Sequence, residues 1–197
     1  MSESFNERKF LYSIVIALGG LAISLIIGFI IIYLLEPGTT QELIENLFLA
    51  PGVTEYVNPV IVFILAICLY SVAGPGLIIW LFNVDPTLFS DILSSVLLAS
   101  ILTWTIVGLM IGFIIRNPQK SMYQGLLTII VSLIFTIVME VILVANAGFL
   151  ITGPWGIAAV GFGILLTVFF SLIMVVYCTV ISTIGAFIAK KIFPTAY

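Results

Sequence analysis

Residues 10–35 read FLYSIVIALGGLAISLIIGFIIIYLL, a run of 26 residues with no charged side chain. A helix needs about 20 apolar residues to cross the hydrocarbon core of a bilayer. Tyr12 and Tyr33 bracket the run and, at about 1.5 Å per residue, lie about 31 Å apart. That spacing matches the thickness of the hydrocarbon core, and tyrosine is enriched at its two interfaces. The stretch therefore predicts a transmembrane helix.

The whole composition agrees with this prediction. Of 197 residues, 62% are hydrophobic and 8% are charged, and the mean hydropathy is +1.36. Soluble domains carry about 25% charged residues, so these residues cannot cover a water-soluble globule. The net charge is −3 with six Lys and Arg residues, which leaves no basic patch able to hold nucleic acid. We predict an all-α integral membrane protein in which residues 1–197 form a single transmembrane domain, with the lipid bilayer as its first partner.

Four more apolar segments follow, over Pro59–Phe82, Thr87–Ile115, Ser121–Asn146 and Gly156–Ile192. The last is longer than a bilayer requires and must tilt or project. The second is interrupted by Gly74-Pro75-Gly76, where proline removes a backbone donor. Broken backbone is tolerated in lipid only where protein or water covers it, so this segment is either a kinked crossing or a re-entrant pair of short helices. Apolar residues at helical spacing predict a short amphipathic helix at the membrane surface near 40–49.

The basic residues predict the orientation of the chain, because cytoplasmic loops are enriched in Lys and Arg. They are Arg8, Lys9, Arg116, Lys120, Lys190 and Lys191. Five full crossings place four of the six in the cytoplasm. If the second segment does not cross, all six are cytoplasmic. Both alternatives predict a multi-pass protein of the cell membrane whose Arg116–Lys120 loop and carboxyl terminus are cytoplasmic.

Several classes of chemistry are excluded by the residues present. The chain has no histidine, which removes His-ligated metal sites and every Ser-His or Cys-His dyad. Its two cysteines, Cys68 and Cys178, stand alone in different apolar segments, where free cysteine packs as a small hydrophobe. No phosphate-binding glycine loop occurs. We therefore predict a protein that is not an enzyme and that holds no cofactor and no metal.

Polar residues within the apolar segments are the candidate functional site. A carboxylate in the hydrocarbon region costs about 2.5–3.5 kcal/mol, so an intramembrane acid indicates function by default. Glu140 lies well within the fourth segment, and Asp91 lies about one turn into the third. The candidate ion, proton or polar path consists of Glu140, Asp91, Thr136, Ser132, Thr128 and Ser95. The alternative is that the hydroxyls bond the carbonyls one turn earlier or cross-link helices, and that Asp91 stabilises a helix start.

Small residues recur on other helix faces and predict close helix packing. The first and third segments carry Gly20, Ser24, Gly28, Gly108 and Gly112. The fifth segment carries Thr167, Ser171, Cys178, Ser182, Gly185 and Ala189 along one side. Trp104 and Tyr177 lie in mid-segment, where their polar atoms need partners. These faces predict a tight bundle and leave open whether the partner is another segment or another chain.

Two functional hypotheses remain. The first is a non-catalytic component that acts as an oligomer, or as a membrane-embedded subunit of a larger complex with other membrane chains. The second is a small ion- or proton-coupled transporter or channel that uses Glu140. In that case the broken segment around Pro75 would expose backbone groups to the substrate, as discontinuous helices do.

Overall fold

The computed structural model describes residues 2–35, 64, 67, 86–146 and 154–194. It contains four long helices: α1 Ser2–Leu35, α2 Pro86–Ile115, α3 Pro118–Asn146 and α4 Pro154–Ile192. Within these ranges all regular structure is helical, as predicted. Each helix holds a stretch long and apolar enough to cross a membrane: Phe10–Leu35, Leu97–Ile115, Pro118–Met139 and Thr167–Ile192. The four helices are consistent with a multi-pass membrane protein.

The second predicted segment, Pro59–Phe82, lies outside the described residues apart from Ile64 and Ile67. Its break at Gly74-Pro75-Gly76 and the predicted surface helix near 40–49 lie outside them as well.

Proline marks the start of three of the four helices. Pro86, Pro118 and Pro154 are each the first helical residue, a position where the missing N–H is not needed. Asn117 caps α3, because its Oδ1 accepts the backbone N–H of Lys120 at 3.1 Å. Helix α1 begins eight residues before its apolar run, since nothing between Ser2 and Lys9 breaks a helix.

The directions of the helices follow from their contacts. Helix α3 runs antiparallel to α4, because Ser121 bonds Ser182 and Gly125 approaches the carbonyl of Cys178. Helix α2 runs parallel to α4, since Thr105 meets Tyr177 and Gly112 approaches Gly185.

Helix α1 runs parallel to α3. Gln124 bonds the carbonyl of Ser13, and seven residues further along α1 Gly20 meets Thr128. The start of α1, the α2–α3 turn and the end of α4 therefore share one end of the bundle. We call it the basic end, because every Lys and Arg of the sequence lies there: Arg8, Lys9, Arg116, Lys120, Lys190 and Lys191. Leu35 and Pro86 lie at the opposite end.

The apolar core lies where α2, α3 and α4 meet. Its buried members are Trp104, Val107, Ile111, Ile129, Met174 and Cys178. Ile23 and Ile27 of α1 pack against this cluster. Trp104 is fully buried, and the Tyr177 hydroxyl lies 2.7 Å from Thr105 Oγ1. The two mid-segment aromatic residues are thus part of the interior.

Candidate functional site

The polar series of α3 forms a buried column of hydroxyls. Gln124, Thr128, Ser132 and Thr136 are all buried, and the last three are fully so. Each hydroxyl donates to the carbonyl one turn earlier: Thr128 to Gln124 at 2.8 Å, Ser132 to Thr128 at 2.9 Å and Thr136 to Ser132 at 2.9 Å. Back-bonding of this kind satisfies a hydroxyl within its own helix. The three hydroxyls of the column are therefore bonded to the α3 backbone.

The near end of the column faces α1. Gln124 Nε2 donates to the carbonyl of Ser13 at 2.8 Å, which ties α3 to α1 through a buried amide. One turn further, a Cβ built on Gly20 would lie 2.5 Å from Thr128 Cγ2. Ser24 and Gly28 continue the same buried side of α1, and Ser24 Oγ donates to the carbonyl of Leu21 at 2.7 Å.

We expect Gly20→Ala to destabilise the bundle by about 1–2 kcal/mol, because the added methyl group must displace the Thr128 side chain. Gly19→Ala is the matched control. A Cβ built on Gly19 would have no atom within 4 Å, so alanine there should be neutral or stabilising. The measurement is SDS-induced unfolding of each variant in mixed micelles. Equal stability of the two variants would contradict the observed contact.

Helices α2 and α4 approach at backbone distance. A Cβ on Gly112 would lie 2.6 Å from the backbone N of Ala186 and 2.7 Å from the carbonyl carbon of Gly185. A Cβ on Gly108 would lie 3.0 Å from Ile181 Cγ2. Two glycines four residues apart on one helix allow the backbone of a second helix to approach this closely in lipid. The predicted packing glycines of α2 are thus at its interface with α4.

The small face of α4 is buried throughout: Thr167, Ser171, Cys178, Ser182, Gly185 and Ala189. At its centre Ser121 and Ser182 exchange hydrogen bonds between helices. Ser121 Oγ donates to the Ser182 carbonyl at 2.7 Å. Ser182 Oγ lies 3.1 Å from the Ser121 carbonyl and 3.0 Å from the Thr179 carbonyl of its own helix, so its one proton is shared between the two acceptors. A Cβ on Gly125 would lie 2.5 Å from Ser182 Oγ. Ser121 and Gly125 were not predicted as contact residues, although their four-residue spacing is a small-residue pair of the same kind.

The serine pair should be energetically coupled. We expect Ser121→Ala and Ser182→Ala each to destabilise the bundle, with a coupling energy of about 0.6 kcal/mol, because both changes weaken the same α3–α4 contact. Ser182→Ala should cost less than Ser121→Ala, since the Ser182 hydroxyl also bonds the Thr179 carbonyl of its own helix. A double-mutant cycle on SDS-induced unfolding measures the coupling energy. Strict additivity of the two changes would show that the pair does not act as a unit. Thr183→Ala is the control, since Thr183 Oγ1 bonds only its own helix, at the Thr179 carbonyl.

Two fully buried hydroxyls have no hydrogen-bond partner among the described residues: Thr103 Oγ1 and Ser171 Oγ. An unpaired buried polar group costs about 1–3 kcal/mol. Ser171 lies eleven residues before Ser182, and Ser132 lies eleven residues after Ser121, so the antiparallel register puts Ser171 level with Ser132. Ser171 therefore lies near mid-bundle, at the edge of the half away from the basic end.

The acids of the candidate path lie in the same half. Glu140 is on α3 one turn after Thr136, and Asp91 and Ser95 are near the start of α2. The side chains of these three residues are outside the described part of the structure. The column from Thr128 to Thr136 leads toward Glu140 along one helix, and participation of the three residues in a polar path stays a prediction. Among the described residues, no three His, Cys, Asp or Glu side chains come together in a way that could hold a metal.

The α2–α3 turn holds an unusual backbone. Arg116 has a φ of 55°, and its N–H donates to the Gly112 carbonyl at 2.9 Å. A bond of this kind from a left-handed residue closes many helices, and glycine or asparagine usually occupies the position. A residue with a Cβ costs about 1–2 kcal/mol in this conformation. The guanidinium carbon of Arg116 lies 5.2 Å from the centre of the Phe193 ring.

No protein-family model matches the sequence, and no significant match was found among curated proteins or solved structures.

Proposed function

We propose that this chain is a non-catalytic, membrane-embedded subunit that assembles with other membrane chains or with copies of itself. The observation that carries the proposal is the presence of small residues on outward faces. Gly19 and Ala22 on α1 and Gly161 on α4 are exposed, and a Cβ built on either glycine would have no atom of the described residues within 4 Å. Small residues let a second helix approach closely in lipid, where packing rather than hydrophobicity drives association.

The interior supports a structural role. Helix α4 touches α2 through Gly112 and α3 through Ser182, so its position is fixed from two sides. The hydroxyls of α3 from Thr128 to Thr136 are committed to its own backbone. A bundle with backbone contacts and committed hydroxyls suits a rigid scaffold more than a moving gate. We extend the proposal to the absence of enzymatic activity, because the sequence lacks histidine.

The experiment is purification from the native membrane in a mild detergent, followed by identification of the chains that travel with the protein. A stoichiometric partner or a stable homo-oligomer is expected. Gly19→Leu and Gly161→Leu should release that partner while leaving the bundle folded. The control is Leu18→Phe, which enlarges an exposed neighbour on α1. A monomer with no companion chain in native membranes would overturn the proposal.

Transport is the second candidate function, and the unpartnered hydroxyls of Thr103 and Ser171 favour it. Buried polar atoms without protein partners are typical places for water or an ion. With Glu140 one turn beyond Thr136, a polar route would run along the far half of α3. Glu140→Gln should then abolish ion flux in liposomes without unfolding the protein, while a subunit role predicts no change in flux. Thr183→Ala is the control for a polar change outside the candidate path, because Thr183 Oγ1 bonds the Thr179 carbonyl of its own helix near the basic end.

We also propose that the basic end is cytoplasmic. All six basic residues lie at one end, and positive residues near transmembrane ends stay inside. The chain then leaves α1 at Leu35 and enters α2 at Pro86 on the same, outer side. This arrangement favours the re-entrant alternative for Pro59–Phe82, because a single complete crossing would bring the chain to the opposite side.

Cysteine labelling tests this orientation. In a background with Cys68→Ala and Cys178→Ala, Gln119→Cys in the first turn of α3 should react with a membrane-impermeant maleimide only after cells are permeabilised. Thr87→Cys at the start of α2 should react in intact cells. The reverse pattern would invert the proposed topology, and labelling of both sites in intact cells would contradict it.

A further inference from the structure

The basic end concentrates positive charge around the final turn of α4. Phe193 follows α4, and its N–H donates to the Ala189 carbonyl at 2.9 Å. Lys190 and Lys191 belong to the same turn and are exposed. Arg116 reaches this turn from the α2–α3 connection, with its guanidinium over the Phe193 ring. Arg116 thus lies against the end of the turn that carries Lys190 and Lys191.

The α2–α3 turn and the last two turns of α4 contain no acidic residue in the sequence. The acids of the sequence nearest to this end are Glu3 and Glu7, in the first two turns of α1. The Phe193 ring holds the guanidinium by a cation–π contact. A positioned guanidinium loses less conformational freedom on binding an anion, and its planar donors match the oxygens of a phosphate group.

The backbone of Arg116 gives an independent reason to assign it a role beyond structure. It occupies a left-handed cap position that glycine fills without strain. Strained backbone conformations are retained where the side chain serves a function, so the conformation of Arg116 indicates a role for its guanidinium. A glycine here would relieve the strain and remove the guanidinium, so the two effects can be separated by experiment.

We propose that Arg116, Lys190 and Lys191 form a binding site for the phosphate group of an anionic phospholipid. A lipid is the source of the phosphate because the basic end also carries exposed aromatic residues, as membrane interfaces do. They are Phe10, Tyr12, Tyr123 and Phe193. Anionic lipids of the cytoplasmic leaflet attract basic residues at this depth. The proposal holds whether the chain is a subunit or a transporter.

The test is thermal unfolding of the purified full chain in dodecylmaltoside with added phosphatidylglycerol, phosphatidylcholine or inorganic phosphate. Phosphatidylglycerol should raise the Tm, and the other two should not. A ligand that binds only the folded state stabilises it in this way. The rise should disappear in Arg116→Gln and in the double change Lys190→Gln, Lys191→Gln. It should persist in Lys120→Gln, which removes the same charge as Arg116→Gln but lies in the first turn of α3.

Arg116→Gly separates function from folding. Without lipid its Tm should equal or exceed that of the unchanged protein, because glycine suits the left-handed cap. With phosphatidylglycerol it should show no rise. Retention of the rise in this variant, an equal loss in Lys120→Gln, or an equal rise with inorganic phosphate would each overturn the proposed lipid site. The second of these outcomes would indicate diffuse attraction by the whole basic end instead.

Discussion

Gly112→Ala is expected to push α2 away from α4 and to lower the free energy of unfolding by about 3 kcal/mol, the upper part of the usual range for overpacking. The reason is the identity of the atoms that a methyl group would meet. They belong to the backbone of Ser182, Gly185 and Ala186, not to the ends of flexible side chains. A side chain can rotate out of the way, whereas a helix backbone must move as a body.

The consequence of that movement extends to α3. Ser182 bonds Ser121 on α3, so shifting α4 strains the serine pair as well. We therefore expect the effect of Gly112→Ala to exceed that of Gly20→Ala, where the obstacle is the Thr128 side chain. The double change Gly112→Ala, Ser121→Ala should also lower the free energy of unfolding by less than the sum of the two single changes, because both weaken the same three-helix junction.

The readout for Gly112→Ala is the reactivity of Cys178. This thiol is fully buried where α4 meets α2 and α3, so a maleimide reaches it only when the helices part. In a Cys68→Ala background, about 3 kcal/mol of destabilisation corresponds to labelling roughly 100-fold faster under conditions of rapid opening and closing. Gly161→Ala on α4 is the control, since a Cβ built there would have nothing within 4 Å. Labelling of Gly112→Ala at the control rate would mean that the two backbones are not in contact.

Hydropathy alone predicts the four described helices to within a few residues, apart from the polar start of α1. The predicted segment Thr87–Ile115 became α2, Pro86–Ile115, and the segment Ser121–Asn146 became α3, Pro118–Asn146. Length and apolarity are enough here, because a chain in lipid must satisfy its own backbone hydrogen bonds and a helix does so locally. The boundary errors fall at proline starts and at the polar first turns of α1, where hydropathy carries no signal.

Which helices pair with one another could not be predicted from the sequence. Glycines four residues apart mark Gly108 and Gly112 as a contact face, but nothing in the spacing says that the partner is α4. The hydroxyl column shows the same limit. Its four-residue repeat is compatible with a polar path and with back-bonding to the helix. The bonds to the carbonyls one turn earlier are seen only in the structure, and the polar path stays a prediction. The left-handed backbone of Arg116 could not be predicted from the sequence. Glycine or asparagine usually marks such a position, and here the residue is arginine.

Trp104→Ala is expected to destabilise the bundle by about 3 kcal/mol, for a reason that differs from the one in a soluble protein. Removal of a buried tryptophan costs about 3–5 kcal/mol in water-soluble cores, and part of that is the lost transfer of the side chain out of water. In a membrane the separated helices stay in lipid, so that transfer contributes little. The cavity contribution remains, because Val107, Ile111 and Ile129 are held by neighbouring helices and cannot collapse onto an alanine. We therefore expect the lower end of the range.

Cys178 labelling in the Cys68→Ala background again provides the measurement, and it is sensitive here because Cys178 belongs to the same core cluster as Trp104. Trp104→Phe should recover most of the loss, since a smaller ring still fills most of the space. Phe187→Ala removes an aromatic side chain that is 60% exposed on the lipid side of α4 and should leave the labelling rate unchanged. If Trp104→Ala and Phe187→Ala are labelled at the same rate, Trp104 is not buried between α2, α3 and α4. The core described above would then be contradicted. If Trp104→Ala alone accelerates labelling, close packing by itself stabilises the bundle. Transfer of the side chain out of water is then not needed, because the separated helices already lie in apolar lipid.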